Sequence, residues 1–256
     1  MKKIFYLVAL VAISLLFVQC EQQPCTCTPC PCVDGTCTCN GNNNGNGSGD
    51  SNTGNTDAKE ESTGVEAGHA YVDLGLPSGL KWATCNVGAT VSTDFGNYFA
   101  WGEVEPKKDY SWETYKYGTK DNLTKYNSND NKTILDPEND AATINWGGKW
   151  RMPTKEEMEE LKENCTFLYT SKTDVRKYTV FGYKVTGPNG NSIFLPSAGY
   201  MYEGKLYDAG SYGNYWSSSL DTDDPIYAYY VYFYSANVGW TYFDRYYGLS
   251  VRPVCK

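Results

Sequence analysis

Residues 228–254 read AYYVYFYSANVGWTYFDRYYGLSVRPV, a run with seven tyrosines, two phenylalanines and one tryptophan but no Lys, Glu, Gln or Met. Aromatic and β-branched residues at this density favour strands, because their side chains fit a pleated, half-buried surface. Over 226–235 the residues sort with a period of two. Tyr227, Tyr229, Val231 and Phe233 fall on one side, and Ala228, Tyr230, Tyr232 and Tyr234 on the other. The set holding Val231 and Phe233 suits a core, which leaves the second as a tyrosine stripe facing solvent. Further on, Val238 and Trp240 read as inward-facing. Gly239, Thr241, Tyr242, Asp244, Tyr246 and Tyr247 read as exposed or loop-like, and Leu249 and Val251 return the chain to the core.

The beginning of the 256-residue chain has a different texture. Lys2 and Lys3 precede an apolar run, 4–18, too short for a confident membrane span, and it ends in Phe17, Val18, Gln19 and Cys20. Residues 1–20 resemble a bacterial lipoprotein signal peptide, which implies lipidation of Cys20; Gln19 departs from the small residue usual before that cysteine. Residues 21–66 read as a disordered stalk, first Cys-rich and then Asn/Gly/Ser-rich, with nothing to repay the entropy of ordering. Its cysteines, Cys25, Cys27, Cys30, Cys32, Cys37 and Cys39, read as disulfide formers in an oxidising compartment rather than as metal ligands, since no histidine supports a metal site. The folded domain is expected at 67–256.

Charge and composition narrow the function. The formal net charge is −8, and no basic patch suits a phosphate backbone, so nucleic acid is excluded as a partner. One histidine, His69, leaves little room for histidine-centred acid–base chemistry or His-rich zinc sites. Thr154 to Glu157 is a capping box, and Met158 and Leu161 follow at helical spacing, which predicts a helix through Asn164. Residues 73–89 read as two short strands around a Pro-Ser-Gly turn, and 181–200 as a hairpin turning at Gly187–Gly190. One or two helices among many short irregular strands predict an α+β domain.

Several motifs occur in fixed order: "YVDLGLPSGLKWATCNVGA", "WGEVEPK", "LDPENDAATINWGGKWRMPTKEEMEELKENCTF", "GYKVTGPNGNSIFLPSAGY", "YWSSS" and "YGLSVRPV". Together, over about 70–254, they resemble the Fibrobacter succinogenes major paralogous domain of surface lipoproteins. The resemblance implies a C-type-lectin-like fold, shared distantly with formylglycine-generating enzymes and with the variable proteins of diversity-generating retroelements. Trp82, Trp150 and Trp216 read as anchors of irregular loops, and Arg151 and Arg252 as binders of a buried carboxylate or of loop carbonyls.

No catalytic residues are expected. Cys85, Cys165 and Cys255 are isolated and lack an activating neighbour; Cys85 is expected to bridge to Cys165 or to Cys255. "YWSSS" lacks the nucleophile-elbow pattern. Asp136, Glu138 and Asp140, and the turn Asp221 to Asp224, read as solvated acidic segments without the spacing of a calcium loop. No cofactor or metal is expected. Exposed Tyr, Gly, Thr and Asp form a paratope-like surface, and tyrosine also stacks on sugars. The expected ligand-binding residues are therefore Tyr230, Tyr232, Tyr234, Gly239, Thr241, Tyr242, Phe243, Asp244, Tyr246 and Tyr247. All ten are residue types that adenine-directed diversification of asparagine codons can produce, as the resemblance to retroelement variable proteins implies. The sequence thus predicts a non-enzymatic outer-membrane lipoprotein, exposed at the cell surface and binding an extracellular protein or glycan. A glycan-binding module of a polysaccharide-uptake system is the alternative, followed by an enzyme resembling the formylglycine-generating enzymes.

Overall fold

The computed structural model describes residues 62–256; the expected signal peptide, Cys20 and most of the expected stalk lie outside the described residues. β1 (Gly64–Glu66), β2 (His69–Asp73) and β3 (Lys81–Ala83) pair antiparallel in succession, and the last strand, β14 (Val254–Cys255), closes on β3. Gly64–Glu66, assigned above to the stalk, thus belong to this sheet. The Pro-Ser-Gly turn between β2 and β3 forms as expected, with Gly79 N donating to Leu76 O at 2.9 Å.

After a short hairpin, β4 (Gly118–Thr119) with β5 (Asn122–Leu123), the chain enters α1 (Ala141–Trp146) and α2 (Lys155–Asn164). The capping box of α2 is complete: Thr154 Oγ1 accepts from Glu157 N at 3.3 Å, and Glu157 Oε2 accepts from Thr154 N at 2.9 Å. Met158 and Leu161, one turn apart, are the buried side chains of this helix.

β6 (Thr166–Thr173), β7 (Thr179–Thr186) and β8 (Ser192–Pro196) form an antiparallel sheet, and β7 and β8 join through the expected turn at Gly187 to Gly190. A small hairpin follows, β9 (Tyr200–Tyr202) with β10 (Lys205–Tyr207). The final sheet has the order β11 (Gly213–Leu220), β12 (Tyr227–Tyr234) and β13 (Asn237–Asp244).

Strands make up 38% of the described residues and helices 10%, so the expected α+β, C-type-lectin-like class is corrected to a mostly β fold of several small antiparallel sheets. The physical reason lies in 166–186. Once the helix ends at Asn164, alternating Thr, Tyr, Phe and Val residues drive a long two-stranded ladder, and the C-terminal aromatic run does the same.

Both faces of the β11–β13 sheet carry core, and every residue of β11 is buried. On one face Tyr215 and Phe233 pack with Met158, Leu161, Val185 and Leu195, and Val231 and Val238 lie against them half-buried. On the other, Trp216 and Ala228 join Trp101, Trp150, Leu249 and Val251. This explains why Ala228, placed by alternation on the solvent side, is fully buried. The three expected tryptophan anchors are all buried.

The arginines divide between the two expected roles. Arg151 grips Glu157 through two hydrogen bonds of 2.6 and 2.5 Å. Buried Arg252 donates to Asn86 Oδ1, Ala83 O and Phe194 O at 2.8–3.0 Å, pinning three segments with a single side chain. The expected Cys85 bridge is also corrected. Cys165 and Cys255 are free thiols, and the Cys85 thiol donates to Ala89 O at 3.3 Å.

Candidate functional site

Strand register decides which aromatic residues meet. Tyr232 pairs with Asn214 on β11 and Gly239 on β13; Tyr230 pairs with Trp216 and Thr241; Ala228 pairs with Phe243. Directly opposed residues share a face of the sheet, so Asn214, Tyr230, Tyr232, Thr241 and Phe243 project together. The β9–β10 hairpin and the loop after it supply the facing wall with Tyr200, Asp208 and Tyr212. These eight residues line an open groove of about 360 Å³, within the ~300–1,000 Å³ range of ligand clefts.

The wall is held by backbone contacts. Gly199 N donates to Tyr212 O and Met201 N to Gly248 O, both at 2.7 Å. Gly199 turns the chain with φ of 67°, where a Cβ would lie 2.0 Å from Tyr207 O. Asp208 sits in the left-handed region, φ 56°, and its carbonyl accepts from Ser211 N at 3.0 Å and Tyr212 N at 2.9 Å. A non-glycine residue held there carries roughly 1 kcal/mol or more of strain, and here that strain sets an exposed carboxylate on the rim.

Rings support one another beneath the opening. Phe243 stacks on Tyr247 at 3.9 Å and on Tyr230 at 5.3 Å, and Tyr200 meets Phe243 edge-on at 5.5 Å. Tyr212 lies against Tyr234 at 5.2 Å. The Tyr232 ring lies across Gly239, where an added Cβ would come within 2.9 Å of its hydroxyl.

The polar groups of the groove are largely uncommitted. Asn214 is 5% exposed, yet among the described residues none hydrogen-bonds its side-chain amide. The same holds for the hydroxyls of Tyr230 and Thr241 and for the Asp208 carboxylate. Burial, reinforced by Tyr232 and Tyr200, pushes the Tyr230 hydroxyl up to about 12, so it stays protonated and able to donate at neutral pH. The Tyr200 hydroxyl is raised by burial and by the nearby Asp208 carboxylate.

The ten expected ligand-binding residues do not form one surface. Tyr230, Tyr232, Thr241 and Phe243 line the groove, with Tyr234 and Gly239 on the same face beside it. Tyr242 and Asp244 point to the opposite face, because both alternate with Thr241 and Phe243 along β13; Tyr242 is 51% exposed and packs against Tyr227 at 4.9 Å. Tyr246 is not exposed but buried with Tyr110, Tyr115 and Tyr117, and Tyr247 is half-buried under Phe243. Tyr200, Asp208, Tyr212 and Asn214 were not expected. Asn214 was legible, since it lies two residues before Trp216 on β11 and so shares the face of Tyr230 and Tyr232; the other three are placed by tertiary topology alone.

The remaining candidates have structural roles. Asp136 pairs with Lys125 at 3.5 Å and also with Lys132, and Asp140 caps α1 by accepting from Thr143 N at 2.9 Å. Asp221 and Asp224 accept from Asp223 N and Ile226 N in their own turn. Among the described residues no group of three or more His, Cys, Asp or Glu side chains is placed to hold a metal ion. His69 stacks on Trp146 at 3.9 Å. Burial pushes the Cys165 thiol up to about 11 and also raises Cys255.

A family model described as a domain of unknown function (DUF8237) matches residues 166–254, less than half of the chain. No curated protein and no solved structure matches it. The matched span runs from β6 to the start of β14 and contains every residue that lines the groove.

Proposed function

We propose that this chain is a non-catalytic binding protein, exported and lipid-anchored at Cys20, that captures an extracellular protein or glycan in the groove above β11–β13. The observation that carries this reading is the groove itself: an open cleft walled by Tyr200, Tyr212, Tyr230, Tyr232 and Phe243. Rigid rings give large contact area at low entropic cost, which is how a small concave site gains affinity. The resemblance to surface lipoproteins supports the location, and the leading segment with Lys2, Lys3 and Cys20 supports export.

The test uses the mature protein on arrays of glycans and of extracellular proteins. Thr241→Trp fills the groove from a partly exposed strand position, while Tyr242→Ala alters the opposite face. Binding that Thr241→Trp abolishes and Tyr242→Ala leaves intact supports the reading. Binding that neither variant changes, or no binding at all, refutes it.

A further inference from the structure

We infer that the ligand of the groove is a neutral carbohydrate, held by direct hydrogen bonds to Asn214 and Asp208 between aromatic walls. This rests on the groove being the binding site. The inference begins with Asn214, a residue 5% exposed on the floor of the groove whose side-chain amide has no protein partner among the described residues. A primary amide has two donor hydrogens and an acceptor oxygen, and closing a ligand over it without hydrogen bonds costs roughly 1–3 kcal/mol. The occupant must therefore both donate and accept at this point. The Tyr230 and Thr241 hydroxyls, likewise uncommitted, are carried by the two strands beyond β11 and extend the demand along the floor. A sugar ring answers it with several adjacent hydroxyls, each a donor and an acceptor.

The walls add a second requirement. Tyr200, Tyr212, Tyr230, Tyr232 and Phe243 offer ring faces and edges, which an occupant must match with C–H surface while keeping its polar groups for the floor. A pyranose has this division, apolar across its faces and polar around its rim. An apolar side chain anchoring a protein partner would satisfy the walls but leave the Asn214 amide unpaired.

Charge sets the class. Among the described residues Asp208 is the one charged residue lining the groove, and no Lys or Arg lines it. A uronate, sulfated or phosphorylated glycan would meet a carboxylate with no cation to offset it, on a chain of net charge −8. Neutral sugars accept this environment, since a carboxylate is a strong acceptor for their hydroxyls.

The experiment titrates the full mature chain, in the presence of EDTA, with neutral oligosaccharides of glucose, mannose, galactose and xylose, with oligogalacturonate, and against an extracellular protein array. The expected result is binding of a neutral oligosaccharide, indifferent to EDTA. Asn214→Leu, close in volume, is expected to weaken it roughly tenfold or more. Asn214→Ser serves as a smaller replacement if the leucine variant has a lowered denaturation midpoint. Asp208→Asn, which tolerates the left-handed backbone, is expected to narrow the preference for neutral over acidic sugars. Selective binding of oligogalacturonate, or of a protein, that Thr241→Trp abolishes would overturn the carbohydrate assignment and leave the groove as the binding site. Neutral-sugar binding unaffected by Asn214→Leu would overturn the assigned contact. No ligand held in the groove at all would overturn both readings.

Discussion

Arg245 tests how the groove is held in place. It is fully buried between Asp244 at the end of β13 and Tyr246, and no carboxylate pairs with it among the described residues. Its guanidinium donates to Tyr115 Oη and Tyr126 O at 2.9 Å, to Pro225 O at 2.9 Å and to Lys125 O at 3.0 Å, with Trp101 stacked at 4.9 Å. The lining residue Phe243 rests on Tyr247, two residues past this arginine, so the same tether positions the floor of the groove. Arg245→Met keeps the long apolar stem against Trp101 and removes the donors. Tyr115 stays satisfied by donating to Trp101 O at 2.8 Å, so the loss falls on three backbone carbonyls. An orphaned acceptor costs about 1–3 kcal/mol when buried, as at Tyr126, and less at the part-buried Pro225 and Lys125 carbonyls, and relief of a desolvated charge offsets part of the sum. The expected net loss is about 3 kcal/mol, read as a lower midpoint in urea at unchanged slope, or as a fall in Tm of roughly 6–12 °C. Arg245→Lys should lose nearly as much, because an ammonium cannot span acceptors set apart in a planar fork. A loss below about 1 kcal/mol for the methionine variant would refute the tether.

Four further outcomes follow from single contacts. Thr154→Ala removes the cap of α2 and should cost about 1 kcal/mol in a denaturant titration. Glu157→Gln probes the same corner by pH. Burial alone would raise this carboxyl, but Arg151 and Thr154 N bring it below its usual range. A depressed carboxylate contributes stability above its unfolded pKa and loses it as pH falls through the folded value, so wild type and variant should converge below the ordinary glutamate pKa of about 4.3. A gap that stays constant down through that range would contradict the assignment. Cys165, with its thiol pushed up to about 11, should react slowly with iodoacetamide at pH 7.5 and rapidly only after denaturation or in strong alkali, as followed by mass shift. Gly239→Ala would drive a Cβ into the Tyr232 ring, so binding should fall while the denaturation midpoint moves little; unchanged binding would show that the Tyr232 orientation is irrelevant.

Local rules made much of this fold legible, because they act within a few residues. The capping box at Thr154, the turn at Gly187 to Gly190 and the alternation through Val231 and Phe233 each took the form their sequences imply. The fold class was not legible in the same way. Helix signals are strong where they occur, but the weight of the chain lies in short strands such as β9 and β10, which carry too few residues to show a period. Half of the groove escaped for a related reason. Tyr200, Asp208 and Tyr212 meet β12 and β13 because Gly199 bonds to Tyr212 and Met201 to Gly248, and such long-range pairing leaves no mark on local spacing. Burial on the second face misled differently: alternation assigned Ala228 and Tyr230 to solvent, but a sheet with core on both sides has no wholly solvent face.

That last point bears on diversification at the end of the chain, which the resemblance to retroelement variable proteins raises as a proposal. The restricted residue alphabet treats all ten positions alike, whereas the structure does not. Tyr246 is 8% exposed and packed against Trp112 at 5.1 Å, so random replacement there would open a cavity among Tyr110, Tyr115 and Tyr117. Gly239 faces the Tyr232 ring at contact distance and admits few side chains, and Tyr242 lies on the face away from the groove. Tyr230 and Phe243 are partly exposed on the groove face too but pack against the core with Trp216, whereas Tyr232, Tyr234 and Thr241 combine partial exposure with the groove face and stand outside that packing. If the coding segment is diversified for binding, differences between it and a template copy must concentrate at these three codons and spare Tyr246. Sequencing the locus decides this. Differences spread evenly over Tyr246 and Thr241 would mean that the replaced residues are not selected for this groove. Differences gathered on Tyr232, Tyr234 and Thr241 would mark the groove face as the one on which selection for ligand acts.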